Sequence, residues 1–290
     1  MSGLVTQKII MRLIDHYQKF CETLVGVYSI SETNDLFKRL LFGFFEWEPT
    51  ILGLSPDKIL DAQQIQQLDD ALLRIQKNEP VQYIIGKTYF RDLKLIVSPA
   101  TLIPRPETEE LVEWIISDFD TSAPKSILDV GTGSGCIALA LQNNFSKATI
   151  TAIDKSAAAL AVAQKNATLL DLPVRFEHHA IEQLPLPDVP FDLIVSNPPY
   201  VHRDENIAPN VRDYEPHMAL FAPQENPIYF YEQIAAYGKK ALKSGGVLYF
   251  EINPLDRKEL MKMLLKNDYV HPEIRSDIFG NFRFLKAIKS

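Results

Sequence analysis

Apolar residues in the first quarter of the chain recur at spacings of three and four. One stripe runs through the opening twenty residues. A second follows Ser31, which suits a helix cap, and a third follows Asp57 and Asp61, either of which suits the same role. Stripes of this width face a core, so the pattern predicts a small helical bundle. The positions are Ile10, Leu13, Ile14, Tyr17, Phe20 and Cys21; Leu36, Phe37, Leu40, Leu41 and Phe44; and Ile65, Leu68, Leu72 and Ile75.

The pattern changes after Gly86. Residues 88–103 are rich in aromatic and β-branched side chains with partial alternation, which predicts a short hairpin. A helix is expected next, because Pro106 suits a first helical turn and Glu107 and Glu109 complement its positive end.

From Ser126 onward short apolar strands alternate with helical segments, and the chain closes with a hairpin around Gly280. Such alternation predicts a doubly wound α/β fold whose mostly parallel sheet is covered on both faces. We therefore expect three regions: a helical domain over 1–86, a β-hairpin linker over 87–103 and a catalytic domain over 104–290.

Composition excludes several classes. Hydrophobic residues make up 46% of the chain and charged residues 23%, as in soluble globular proteins. Cys21 and Cys136 lie far apart, and the adjacent His178 and His179 would point to opposite faces of a strand, so we expect neither a disulfide scaffold nor a metal site. The net charge of -7 argues against direct nucleic-acid binding. No stretch is apolar enough to cross a membrane, and a cytoplasmic location is expected.

Two features point to a nucleoside ligand. Residues 129–135 read Asp-Val-Gly-Thr-Gly-Ser-Gly between a strand and a helix, a G-x-G-x-G spacing unlike that of dinucleotide folds. A tight structural turn is the alternative. Asp154 ends the next strand, where a carboxylate can accept hydrogen bonds from a ribose diol. Here the alternative is a helix cap, formed by Asp154 or Ser156.

The third feature is Asn197-Pro198-Pro199-Tyr200, directly after an apolar strand. The prolines remove two backbone donors, so carbonyls and the Asn197 side-chain oxygen can converge as acceptors, while Tyr200 offers a flat face. Such a site suits a planar NH2 group and its methylation, which needs mainly alignment. A purely structural turn is the alternative.

Together these residues resemble an S-adenosylmethionine-dependent amino methyltransferase. Further segments resemble the HemK/PrmC family, which methylates the N5 of a glutamine in peptide chain release factors; they are EPVQYIIGKTYF, VSPATLIPRPETEELVE, SNPPYV, YEPHMAL and SDIFGNFR. The resemblance implies a seven-stranded methyltransferase sheet with a C-terminal antiparallel hairpin, S-adenosyl-L-methionine as cofactor, and the glutamine of the Gly-Gly-Gln loop of class 1 release factors as target. It also implies that the helical domain docks this protein substrate.

The resemblance also implies residue roles. Asn197, Pro198 and Tyr200 would be catalytic, and with Pro199 they would frame the target amide. The cofactor would be held by Gly131, Thr132, Gly133, Ser134, Gly135, Asp154, Ile181 and Asn197.

The chain departs from the family pattern at three places. Ala180-Ile181 stands where many relatives have Asp-Trp near the adenine; Ile181 can pack on the base, but the acidic contact is missing. Asn253-Pro254 replaces part of a Gly-x-x-Gln pattern, and Asn226-Pro227 follows YEPHMAL in place of a glycine. The alternatives are glutamine methylation of a large-subunit ribosomal protein, adenine-N6 methylation, a nicotinamide-binding oxidoreductase and a binding module without catalysis.

Overall fold

The computed structural model describes residues 10–223 and 226–290, which form two compact units. The first unit comprises residues 10–87 and the segment Pro209–Tyr214. The second comprises Thr88–Ala208 and Glu215–Ser290. The predicted N-terminal amphipathic helix falls partly on residues 1–9, outside the described residues.

The first unit is mainly helical, and its two shortest strands pair with each other in antiparallel register. Its elements are β1 (Met11–Arg12), α1 (Leu13–Leu24), α2 (Ile30–Phe45), α3 (Ile51–Leu54), β2 (Ile59–Leu60), α4 (Ala62–Ile75), α5 (Val81–Ile85) and α9 (Pro209–Tyr214).

The predicted stripes form one core in this unit. The buried positions include Leu13, Phe20, Phe37, Leu40, Leu41, Ile65, Leu68, Leu72 and Ile75. Ile10, placed on the first stripe, precedes α1 and is exposed. The helical-bundle expectation for this stretch agrees with the fold.

Two reciprocal capping boxes begin the longer helices. The Ser29 hydroxyl accepts from the Glu32 backbone N–H, and the Glu32 carboxylate accepts from the Ser29 N–H. Asp61 and Gln64 form the same pair at the start of α4. The predicted cap at Ser31 is therefore wrong by two residues, because the reciprocal bond requires a Glu or Gln three positions after the cap: Glu32 stands there for Ser29, whereas the shorter Asn34 stands there for Ser31.

The second unit contains the predicted alternation of strands and helices. Its elements are β3 (Lys87–Phe90, whose first residue lies at the boundary), β4 (Leu93–Ile96), α6 (Pro106–Asp118), β5 (Ser126–Val130), α7 (Cys136–Asn144), β6 (Thr149–Asp154), α8 (Ala157–Leu170), β7 (Val174–His178), β8 (Phe191–Ser196), α10 (His217–Leu220), α11 (Tyr229–Ala241), β9 (Leu242–Glu251), α12 (Arg257–Lys266), β10 (Tyr269–Ser276) and β11 (Phe282–Lys289). Strands β3 and β4 form the predicted hairpin.

Seven strands of this unit form one sheet in the order β10–β11–β9–β8–β5–β6–β7. The five strands from β9 to β7 pair in parallel, while β11 is antiparallel to both β9 and β10. The doubly wound sheet with a C-terminal antiparallel hairpin is confirmed.

Alternate residues of each strand supply two separate cores, one on each face of the sheet. Ile127 of β5 packs in a core with α6 and α7, whereas Leu128 packs in a core with α11 and α12. Both faces are thus covered, as the nearly continuous apolar strands require. Among the described residues, no helix is long and apolar enough to cross a membrane.

Two helical glycines of the first unit offer a matched test of packing. A Cβ on Gly43 would lie 2.6 Å from Cγ2 of Ile85, whereas one on Gly53 would meet nothing within 4 Å. We expect Gly43→Ala to lower the free energy of unfolding by about 1–3 kcal/mol, the cost of overpacking. Gly53→Ala should be neutral or stabilising. Denaturant titration of both variants checks this, and equal stability would contradict the close packing of α2 on α5.

Candidate active site

A cavity opens in the second unit where β5 and β8 lie side by side. Strand order reverses there: β6 follows β5 on one side, and β8 flanks it on the other. Crevices at such switch points, at the carboxyl ends of parallel strands, are the usual ligand sites of open α/β sheets. Most of the sequence-predicted residues line this cavity: Gly131, Thr132, Gly133, Ser134, Asp154, Ile181, Asn197, Pro198 and Pro199.

The glycine loop presents bare backbone to the cavity. Gly131 and Gly133 have φ of +74° and +56°, and open space lies where a Cβ would stand. The Ser134 hydroxyl is buried without a hydrogen-bond partner among the described residues. Gly135 lies outside the cavity lining and acts as N-cap residue of α7. A polar ligand that contacts backbone and supplies a partner to Ser134 fits this loop.

Asp154 faces the cavity and also holds the glycine loop. Its carboxylate accepts from the backbone N–H of Gly133 at 2.9 Å and of Ser156 at 2.8 Å. Burial raises its pKa, and these two bonds oppose the rise. Helix α8 is capped by the Ser156 hydroxyl, which accepts from the Ala159 N–H. The cap therefore belongs to Ser156, and the lone pairs of Asp154 not taken by backbone remain for a ligand diol.

Asp129 holds the glycine loop through a hydrogen bond to Thr132. It was not among the predicted site residues. It is fully buried one residue before the end of β5, and the Thr132 hydroxyl donates to it at 2.6 Å. Burial raises its pKa to about 7. The Thr132 hydroxyl therefore donates its proton within the protein, to Asp129, and not to a ligand.

The wall beyond Asp154 is largely apolar. Ile181 is buried and begins a short 3-10 helix, Ile181–Gln183. Phe230 and Ile234 of α11 also line this part of the cavity, a surface suited to a flat base. Glu182 lines it too and accepts from the Tyr229 hydroxyl. The family pattern has an acid at the position of Ala180. In this chain an acid, Glu182, stands on the same wall two positions later.

The turn after β8 forms the opposite side. The Asn197 side-chain N–H donates to the Thr108 hydroxyl at 3.2 Å. Its Oδ1 has no hydrogen-bond partner among the described residues, and Pro198 and Pro199 line the cavity beside it. Tyr200 lies outside the lining, and its hydroxyl donates to Glu251 at 2.9 Å. Burial and the charge of Glu251 raise its pKa well above the usual value, so the phenol stays a donor.

Two further residues near this turn, Thr108 and Glu251, were not predicted from the sequence. Thr108 lies in the first turn of α6, and its hydroxyl donates to Glu251, the last residue of β9, at 2.6 Å. Both are buried. Burial raises the pKa of Glu251, opposed by the Thr108 and Tyr200 bonds and the charge of Arg283. Thr108 belongs to the PRPETE segment, which was the available signal.

Arg105 also lines the cavity. It pairs with the buried Glu215 at 2.5 Å, and Glu215 also accepts from the Ile103 N–H at 3.0 Å. His179 lines the cavity as well, while His178 bonds the Lys155 carbonyl oxygen. In the described part of the chain, no group of three or more His, Cys, Asp or Glu side chains could hold a metal.

Comparison with known proteins gives consistent matches over both units. Residues 17–86 match the family model described as PrmC N-terminal domain, and residues 127–213 match the one described as Methyltransferase domain. A methyltransferase structure from Pyrococcus furiosus has a TM-score of 0.53 at 18% identity and covers 77% of this chain and 99% of its own. That likeness shows the fold.

Curated relatives are closer in sequence. The release factor glutamine methyltransferase of Flavobacterium psychrophilum is 42% identical over 281 residues, which cover 95% of this chain and 99% of that protein. The protein of the same name from Bacteroides thetaiotaomicron is 39% identical and covers 92% and 96%. The chain belongs to the release factor glutamine methyltransferase family.

Proposed function

We propose that this protein transfers the methyl group of S-adenosyl-L-methionine to the N5 side-chain amide of the glutamine in the Gly-Gly-Gln loop of class 1 release factors. The observation that carries the proposal is the meeting of two loops on one cavity: the glycine loop with Asp154, and Asn197 with its two prolines. Because release factors act on ribosomes, the proposed location is the cytoplasm.

The cofactor fits the residues of one side of this cavity. The open backbone at Gly131 and Gly133 and the unpartnered Ser134 hydroxyl suit its methionine portion, Asp154 its ribose diol and Ile181 its adenine. When bound, the cofactor supplies a methyl group already activated by a sulfonium. The remaining task of the protein is to place a nitrogen in line with that methyl.

The turn after β8 suits the other partner, an amide NH2. Oδ1 of Asn197 accepts one N–H, and the backbone carbonyls of Asn197 and Pro198 are further acceptors. Held in this way, the NH2 presents the face of its nitrogen to the methyl. An amide nitrogen is a poor nucleophile because its lone pair is delocalised. Once methylated it carries a positive charge and becomes strongly acidic, so the proton is lost to water after transfer and no strong base is required.

The first unit supplies the docking surface in this proposal. Two apolar side chains flank the turn between α1 and α2 and are largely exposed: Val25 at 77% and Ile30 at 85%. Val27 between them is 52% exposed. Exposed apolar clusters are typical of surfaces that bind another protein.

The ribose role is tested on cofactor affinity. Asp154→Ala should weaken S-adenosylmethionine binding by about 1.5–3 kcal/mol, the scale of hydrogen bonds to a charged group. Asp192→Ala is the matched control, because Asp192 also accepts from two backbone N–H groups, of Lys125 and Ser126, but lies at the start of β8, outside the cavity lining. Calorimetric titration measures both variants. Equal affinities in the two would refute the ribose role.

The acceptor role is tested on turnover. Asn197→Ala should lower the single-turnover rate about 10²–10³-fold, the scale lost with one preorganised polar group at a reacting centre. Asn197→Asp should fail as well, since its second oxygen would face the Thr108 oxygen, whose proton is donated to Glu251. Methylation of a release factor at saturating cofactor is measured, with folding checked by melting. Near-normal rates in both variants would make the turn purely structural.

The docking role is tested with two substrates. Replacing Val25 and Ile30 together by serine should raise KM for the folded release factor about tenfold, because apolar area is lost from the interface. KM for a short Gly-Gly-Gln peptide should stay unchanged. Leu54→Ser is the control, an equally exposed apolar residue (81%) of the same unit on α3. An unchanged KM for the folded protein would place docking elsewhere.

A further inference from the structure

A buried carboxylate joins three elements behind the Asn197 turn. Glu251, at the end of β9, is 1% exposed. One of its oxygens accepts from Thr108 of α6 at 2.6 Å, and the other accepts from Tyr200 at 2.9 Å. Thr108 in turn lies 3.2 Å from the side-chain nitrogen of Asn197. The cluster is therefore a continuous chain of hydrogen bonds from the core to the cavity.

The carboxylate sets the direction of every bond in this chain. Both oxygens of Glu251 accept, one from Thr108 and the other from Tyr200, so the single hydroxyl proton of Thr108 is donated to Glu251. Thr108 is itself buried, and its oxygen can then only accept. The partner from Asn197 must consequently be its NH2 group, which turns Oδ1 away from Thr108.

We propose that Glu251 and Thr108 are positioning residues, which hold the Asn197 amide so that its oxygen receives the substrate NH2. The inference rests on the proposed function and adds a reason why the site selects glutamine over glutamate. An acceptor fixed at this point favours glutamine, which donates two N–H bonds, over glutamate, whose carboxylate has none to donate. A free Asn197 amide could rotate and offer its NH2 to either side chain.

The chain offers variants that separate positioning from stability. Thr108→Val removes the hydroxyl at nearly constant volume, and Thr108→Ser restores it. Glu251→Gln introduces an NH2 group that can donate to Thr108, which would reverse the direction of the hydrogen bonds from Glu251 to Asn197. Tyr231→Phe is the control: the Tyr231 hydroxyl is equally buried and donates to Glu251, but to its backbone oxygen at 3.0 Å. Loss of this bond should lower stability without touching the carboxylate.

The first measurement is methylation of a release factor. We expect Thr108→Val and Glu251→Gln to lower kcat about 10- to 30-fold, the effect of one lost or reversed hydrogen bond. KM for the release factor and the dissociation constant for S-adenosylmethionine should change less than threefold. Thr108→Ser should recover the rate within threefold, and Tyr231→Phe should keep it. Retained turnover in Thr108→Val, or an equal loss in Tyr231→Phe, would overturn the proposal.

The second measurement does not depend on activity. In protein labelled with ¹⁵N-asparagine, the Asn197 side-chain NH2 signal is assigned by its absence in Asn197→Ala. We expect slow hydrogen exchange of this group in the wild type, Thr108→Ser and Tyr231→Phe, and at least tenfold faster exchange in Thr108→Val. Equal exchange in all of them would refute the positioning role. A wild type that leaves the glutamine unmodified but shows the protected amide would refute only the proposed function.

Discussion

The parallel pairing of β5 with β8 is the constraint on which the site depends. The register ends with Val130 opposite Ser196, and the Ser196 hydroxyl donates to the Val130 carbonyl oxygen at 2.7 Å. Because parallel strands end on the same edge, this register places the glycine loop and the Asn197 turn side by side. A shift by one residue would turn the side chains of β8 to the opposite face and separate the two loops.

Buried carboxylates support both loops from within the second unit. Asp129 accepts a hydrogen bond from the Thr132 hydroxyl, and Glu251 accepts two, from the hydroxyls of Thr108 and Tyr200. Burying a charge is costly unless hydrogen bonds or an opposite charge compensate it. Removing one donor would leave that cost uncompensated, so these clusters favour a single arrangement of the loops over several similar ones.

The two sides of the cavity differ in the groups they present. On the side of Asp154 the chain offers bare backbone, a carboxylate and the apolar Ile181, groups that suit a charged nucleoside. On the side of Asn197 the prolines remove donors and leave acceptors. A methyl donor and an amide can meet between them without a nucleophile, a metal or a strong base from the protein, because the donor is already activated and alignment remains as the main barrier.

The sequence alone predicted whatever depends on neighbouring residues. Apolar stripes, strand–helix alternation, the glycine loop and the turn from Asn197 to Tyr200 are written in contiguous segments, and the strands and helices of the second unit lie where these patterns place them. The family resemblance rests on the same short segments. Even so, two serines close together were enough to misplace a cap, because Ser29 and Ser31 differ only in what stands three residues later.

The tertiary structure alone decided the partners of the polar side chains. Thr108 and Glu251 are 143 residues apart in sequence, and Arg105 and Glu215 are 110 apart. A local pattern carries no information on which distant acceptor a hydroxyl or guanidinium will meet, since that depends on strand order and helix placement. For the same reason the sequence did not reveal the partner of the Tyr200 hydroxyl, a carboxylate 51 residues further along the chain that the folded sheet brings within 2.9 Å.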